Sequence, residues 1–172
     1  MRELFPFLPA RGPIPPEFHT ECGDGPFEKC GVCGMALALR LGYSIVKEHQ
    51  GERCLFEFAI CFDCSDDLAG CLSDDSEARL REWFESSPLG ESSEACTFCG
   101  AEAATLDRYS SRLICRGEEW IAGPEICCVE CEATIESLLS KETKGDYGDW
   151  FREHVPGLPT SDIDLEALLT RL

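Results

Sequence analysis

Basic residues are scarce in this chain. Its 172 residues include 15 Lys and Arg against 33 Asp and Glu, a formal net charge of −18. The few cations form no cluster; Arg79 and Arg81 lie close together, but Glu77 and Glu82 flank them. Sequence-independent phosphate binding needs several cations on one face, so direct nucleic-acid binding is not expected. No apolar run approaches the roughly 20 residues that span a bilayer, and no membrane association is expected. The opening stretch MRELFPFLPARGPIPP is broken by Pro6 and Pro9, where a secretion signal needs a continuous apolar segment. A cytoplasmic location, where thiols stay reduced, is the expectation. The three histidines, His19, His49 and His154, are scattered and assemble no Ser-His-Asp or Cys-His set, and there is no Gly-rich phosphate loop.

Cysteine, by contrast, is abundant, at 13 residues. An odd count without a secretion signal argues for metal binding over a disulfide framework. Eight of the cysteines form four C-x-x-C pairs: Cys30/Cys33, Cys61/Cys64, Cys96/Cys99 and Cys128/Cys131. The first and third pairs read CGVCG and CTFCG, with Gly34 and Gly100 following; the second and fourth read CFDC and CVEC, with no Gly after them.

The chain overlays on itself. A shift of 66 places Cys30, Cys33, Gly34, Tyr43 and Ser44 on Cys96, Cys99, Gly100, Tyr109 and Ser110. A shift of 67 places Cys61, Cys64, Leu72, Trp83, Phe84 and Gly90 on Cys128, Cys131, Leu139, Trp150, Phe151 and Gly157. The matching Trp-Phe pairs carry most weight, because cysteine spacing alone recurs widely. An internal duplication is the reading.

Each copy starts with a C-x-x-C-Gly turn. Two β-prone segments follow, Tyr43 to Lys47 and Leu55 to Ile60 in copy one, with Gly51 between them as a hairpin turn. The second pair then opens a helix; in copy two, Glu130 to Leu139 carries Ile135, Leu138 and Leu139 at helical spacing. A second short helix holds the Trp-Phe pair, over Glu77 to Glu85 and over Asp146 to His154, stopped at Ser87-Pro88 and Val155-Pro156.

Four thiolates complete a tetrahedral zinc site. A C-x-x-C turn places two sulfurs on one edge of the tetrahedron, and the following Gly allows a positive φ. The Gly-less pairs suit a helix N-terminus, where free amides and the helix dipole stabilise negative sulfur. Knuckle, hairpin, then C-x-x-C on a helix start resembles the treble-clef zinc fingers, over about three quarters of the chain. A zinc ribbon normally carries Gly after both knuckles; here Ser65 and Glu132 stand in the second position. The duplication pairs the cysteines sequentially: Cys30, Cys33, Cys61 and Cys64 on one zinc, Cys96, Cys99, Cys128 and Cys131 on the other. A cross-braced arrangement would need its second and third pairs within a few residues. In EICCVEC, Cys127 falls on Ile60 and is expected to pack rather than bind, as is Cys71, which falls on Leu138. Cys22, Cys54 and Cys115 have no cysteine counterpart; packing is expected of each, with redox activity or ligand replacement as the alternatives.

Other patterns weigh less. His19-Thr20-Glu21 matches the H-x-E of zinc deaminases, but no Pro precedes any C-x-x-C, and those pairs already have partners. Thioredoxin-like redox work needs one motif in a βαβ setting, not four evenly spaced pairs. Arg108, Arg112 and Arg116 would form a stripe on a helix, but the repeat places them in the hairpin region. In the tail, Leu165, Leu168, Leu169 and Leu172 form an apolar helical stripe that includes LEALL, with Ser161 and Asp164 as a capping pair.

The expectation is thus an α+β chain of two tandem duplicated treble-clef-like zinc units. Its parts are a Pro/aromatic arm over 1–28, zinc units over 29–90 and 91–157, and an amphipathic helix over 158–172. Both zinc sites are expected to be structural and closed, with no open position for substrate. The functional expectation is a non-enzymatic protein-interaction or scaffold module. The alternatives are a nucleic-acid-associated finger within a larger complex that supplies the positive charge, and an enzyme with an unlocated site.

Overall fold

The computed structural model describes residues 8–155, apart from 24, 88–89 and 91–93. The tail stripe at 161–172 lies outside the described residues. Five strands, β1 (Gly12–Pro13), β2 (Tyr43–Gln50), β3 (Arg53–Cys61), β4 (Arg108–Arg116) and β5 (Glu119–Cys128), form one antiparallel sheet in the order β1-β5-β4-β2-β3. Four helices, α1 (Phe62–Ala69), α2 (Asp74–Ser86), α3 (Val129–Leu138) and α4 (Lys141–His154), complete an α+β fold.

The hairpins form as the sequence dictates. Gly51 and Gly117 turn them at φ 56° and 60°, values that glycine adopts without steric cost. Both strands of the first hairpin run beyond the expected bounds, to Gln50 and from Arg53. Arg108, Arg112 and Arg116 lie along β4, not on a helix. The sheet is more continuous than two tandem units imply. β2 pairs with β4 along its whole length, joining the two hairpins edge to edge. In that seam Val46 faces Arg112, the residue 66 positions on; Tyr43 faces Cys115 and His49 faces Tyr109, so the register is its own image under the same shift.

β2 is therefore a central strand, buried from Tyr43 to Glu48. Covering both faces forces the polar members of its alternation to find partners. The Lys47 ammonium donates to the His19 carbonyl and lies 3.1 Å from Glu21 and 3.2 Å from Glu57. Glu48 takes an ion pair from Arg108 at 3.0 Å. The described arm lies across this sheet: Ile14 and Phe18 enter the core beside Tyr43, Ile45, Leu113 and Cys115, and β1 pairs with β5. His19 is half-buried, with its Nε2 3.1 Å from the Ile14 carbonyl.

The second helix of each half starts at a serine cap. Ser73 accepts from the Ser76 amide and Ser140 from the Thr143 amide. The two starts interlock. The Ser73 amide donates to Thr143 Oγ1 (3.0 Å), the Ser140 amide to Ser76 Oγ (2.8 Å), and Ser76 Oγ lies 2.9 Å from Thr143 Oγ1. Ser76 and Thr143 are fully buried. The helices then cross between halves: on α2, Trp83 and Phe84 pack on Phe98 of the second half's knuckle, at centroid distances of 4.9 and 5.8 Å. Trp150 and Phe151 on α4 are buried in the cluster that includes Cys30 and Leu37 of the first half, with Val32 of the first knuckle packed against it.

Candidate metal centres

All thirteen cysteines are free thiols. Eight of them gather as two groups of four, Cys30/Cys33/Cys61/Cys64 and Cys96/Cys99/Cys128/Cys131, with the sulfurs of each group within 4.8 Å of one another. The sets are sequential along the chain.

Backbone geometry builds each group the same way. In the first, the Gly34 amide donates to the Cys30 carbonyl (3.0 Å), the Cys30 amide to the Met35 carbonyl (2.9 Å), and the Gly31 amide ties the turn to Ala59 of β3 (2.8 Å). In the second, Gly100 donates to Cys96, Cys96 to Ala101, and Thr97 to Ile126, each at 2.8 Å. Gly34 and Gly100 take the positive φ that their motif requires, 69° and 75°. Cys61 and Cys128 end strands β3 and β5 and occupy the N-caps of α1 and α3, so Cys64 and Cys131 fall in the first helical turns. The Cys61 amide points at Cys30 sulfur (3.4 Å) and the Cys128 amide at Cys96 sulfur (3.5 Å).

The sulfur spacing tests the fit to a metal. With zinc–sulfur bonds of about 2.3 Å, a regular tetrahedron has edges of about 3.8 Å. Cys33 and Cys61 sulfurs are 3.9 Å apart and Cys99 and Cys128 sulfurs 3.7 Å, far beyond a disulfide bond of about 2.05 Å. The electrostatics favour a cation among ionised sulfurs. Burial, then the neighbouring sulfurs, pushes the Cys64 and Cys131 thiols up, and burial carries Cys128 to about 12. Cys33 and Cys96 fall to about 7: burial opposes ionisation there, but hydrogen bonds from backbone amides and adjacent thiols outweigh it. Four thiolates at either position would need a cation among them, and zinc suits an all-thiolate tetrahedron.

The spare cysteines stay outside both groups. Cys127 is buried on β5, paired across the sheet with Ser110 as Ile60 pairs with Ser44. Cys71 lies two residues past α1, not on its face, because the helix ends at Ala69; it still packs against the core. Cys115 is buried beside Tyr43, Cys54 is half-buried with its thiol on the Phe56 carbonyl, and Cys22 is exposed. Glu21, Cys54 and Glu57 also approach one another, but the Lys47 ammonium already supplies the cation there.

One neighbour escaped sequence reasoning. Arg40 donates to Asp63 (2.8 Å) and reaches the exposed Cys33 sulfur (3.8 Å). The one signal available was its place as the first cation after the knuckle. Comparison with known families, curated proteins and solved structures finds no match for this chain.

Proposed function

We propose that the chain is a non-enzymatic zinc protein with two structural four-cysteine centres, ligated by Cys30, Cys33, Cys61 and Cys64 and by Cys96, Cys99, Cys128 and Cys131, and that it serves as a protein-interaction module. The observation that carries the zinc reading is the sulfur spacing of 3.9 and 3.7 Å at two positions built by the same backbone contacts. Zinc at each would supply folding free energy on the order of 10 kcal/mol. Chelation should therefore unfold the chain.

We also read the chain as an internal duplication of a treble-clef-like unit, spanning 29–90 and 91–157. Support comes from the self-imaging β2–β4 register about Val46 and Arg112, and from the reciprocal Ser73/Ser76 and Ser140/Thr143 contacts. The knuckle, hairpin and helix-borne second pair follow the treble-clef order in both halves.

The interaction role is supported by an apolar segment that only the first half has. Met35, Leu39 and Leu41 are 49, 79 and 75% exposed, whereas the positions 66 residues on are Ala101, Thr105 and Asp107. A net charge of −18 favours a protein partner over a nucleic acid. No helix among the described residues is long and apolar enough to cross a membrane. Ser111 and His49 lie 3.0 Å apart, but Ser111 is buried and the imidazole stacks on Tyr109, which suits a core hydrogen bond better than a nucleophile. The test is affinity capture with zinc-loaded protein, run beside a Leu39→Asp/Leu41→Asp variant that keeps both zinc ions. A partner captured by the natural sequence and lost by the variant supports the module; equal capture by both removes this surface from it.

A further inference from the structure

The two centres share a backbone plan but differ in their surroundings. At the first, Arg40 is clamped by Asp63 at 2.8 Å and lies 3.8 Å from the Cys33 sulfur. Its Nε is buried and finds no partner of its own, so the guanidinium is held there by the contacts of its tip. At the second, Leu106 stands in Arg40's place and Glu130 in that of Asp63. Among the described residues, no Arg or Lys hydrogen-bonds to a sulfur of the second group. Charge differs over the whole knuckle as well: residues 28–41 contain Glu28, Lys29 and Arg40, and residues 94–107 contain Glu94, Glu102 and Asp107 with no cation. The fourth sulfur differs too, with Cys64 buried and Cys131 half-buried, while Cys33 and Cys99 are both exposed.

A zinc ion with four thiolates carries a charge of about −2. A fixed guanidinium beside it neutralises part of that charge and withdraws electron density from the sulfur it touches, through a charge-assisted hydrogen bond. Where no guanidinium or ammonium hydrogen-bonds to a sulfur, the thiolates keep their full nucleophilicity.

Resting on the zinc reading above, we propose that the centres are unequal in reactivity: Arg40 caps the first as a built-in counter-cation, and the uncapped second centre is the site of attack by soft electrophiles, entering at Cys99. With a maleimide, the Cys99 thiolate adds to the carbon–carbon double bond. A sulfur–carbon bond forms, the resulting enolate takes a proton from water, and the zinc–sulfur bond is lost. Zinc, left with three thiolates, then leaves that centre first. The second centre is thereby a labile, modification-sensitive element beside a durable one.

The test uses the full zinc-loaded chain and N-ethylmaleimide. Zinc release is followed with a chromogenic chelator, and modified cysteines are identified by peptide mass spectrometry at each stage. Two phases are expected, the first releasing one zinc with label on Cys99 and its cluster, the second slower by roughly tenfold, the size of one charge-assisted contact. Arg40→Leu should bring the slow phase toward the fast one, Arg40→Lys should restore much of the difference, and Leu106→Arg should slow the fast phase. A single phase, or label on Cys33 before Cys99, overturns the proposal and leaves the zinc reading standing. Untreated protein with no zinc to release overturns both.

Discussion

At the residue scale, the chain separates cysteines that gather into four-sulfur groups from cysteines that fill. Cys127 and Cys128 are adjacent, yet strand alternation sends their side chains to opposite sides of β5. Only Cys128 reaches a four-sulfur group; Cys127 is buried as a small apolar residue. Cys127→Ala is expected to keep two zinc ions per chain, and Cys128→Ser to lose one, both counted by native mass spectrometry. The pairing was legible because matching residues accompany the cysteines at the same offset. Lys47 was not legible. Read alone, YSIVKEHQ looks half-exposed, and only the arm and the second hairpin turn it into a buried strand. Lys47→Ala should strand Glu57, whose carboxylate sits in a partly buried site and keeps its proton affinity low through hydrogen bonds from the Glu21 amide, Thr20 and Lys47. Removing one partner of a buried ion pair costs about 3 kcal/mol, to be read from urea denaturation of the zinc-loaded protein.

At the element scale, the order of turns, strands and helices followed from local chemistry. Gly34, Gly51, Gly100 and Gly117 mark the positive-φ positions, and Ser73 and Ser140 cap the second helices. Pairing between elements was the illegible part. Nothing in the alternation of β2 or β4 says that they meet, because edge-to-edge pairing uses backbone groups that every strand carries. The hydroxyl ring at the helix starts is likewise a tertiary arrangement of residues that read as ordinary caps. Ser76→Ala removes the acceptor for the Ser140 amide and should cost about 1–2 kcal/mol. Thr143→Val should cost a similar amount, and the double variant less than the sum, since the two residues share one network. Thermal denaturation of the four proteins checks this.

At the scale of the whole molecule, the halves are interlocked. The first gives Trp83 and Phe84 to the second knuckle, and β2 needs β4 along its length. A fragment of residues 29–90 should therefore stay unfolded even with zinc, judged by dispersion of its amide NMR signals, although the repeat alone makes it look like a unit. Protons should compete with the metal. In the metal-free clusters Cys61, Cys64, Cys128 and Cys131 are pushed up, so they are protonated at neutral pH and zinc must displace their protons. Affinity should then fall as pH falls, with zinc released on acidification. The central claim, two structural zinc centres in one interlocked sheet, is tested most directly by native mass spectrometry of the full chain before and after chelation, with far-ultraviolet circular dichroism on the same samples. Two zinc ions per chain, and loss of folded structure when they are removed, is the expected result; a folded chain that holds no metal would contradict it.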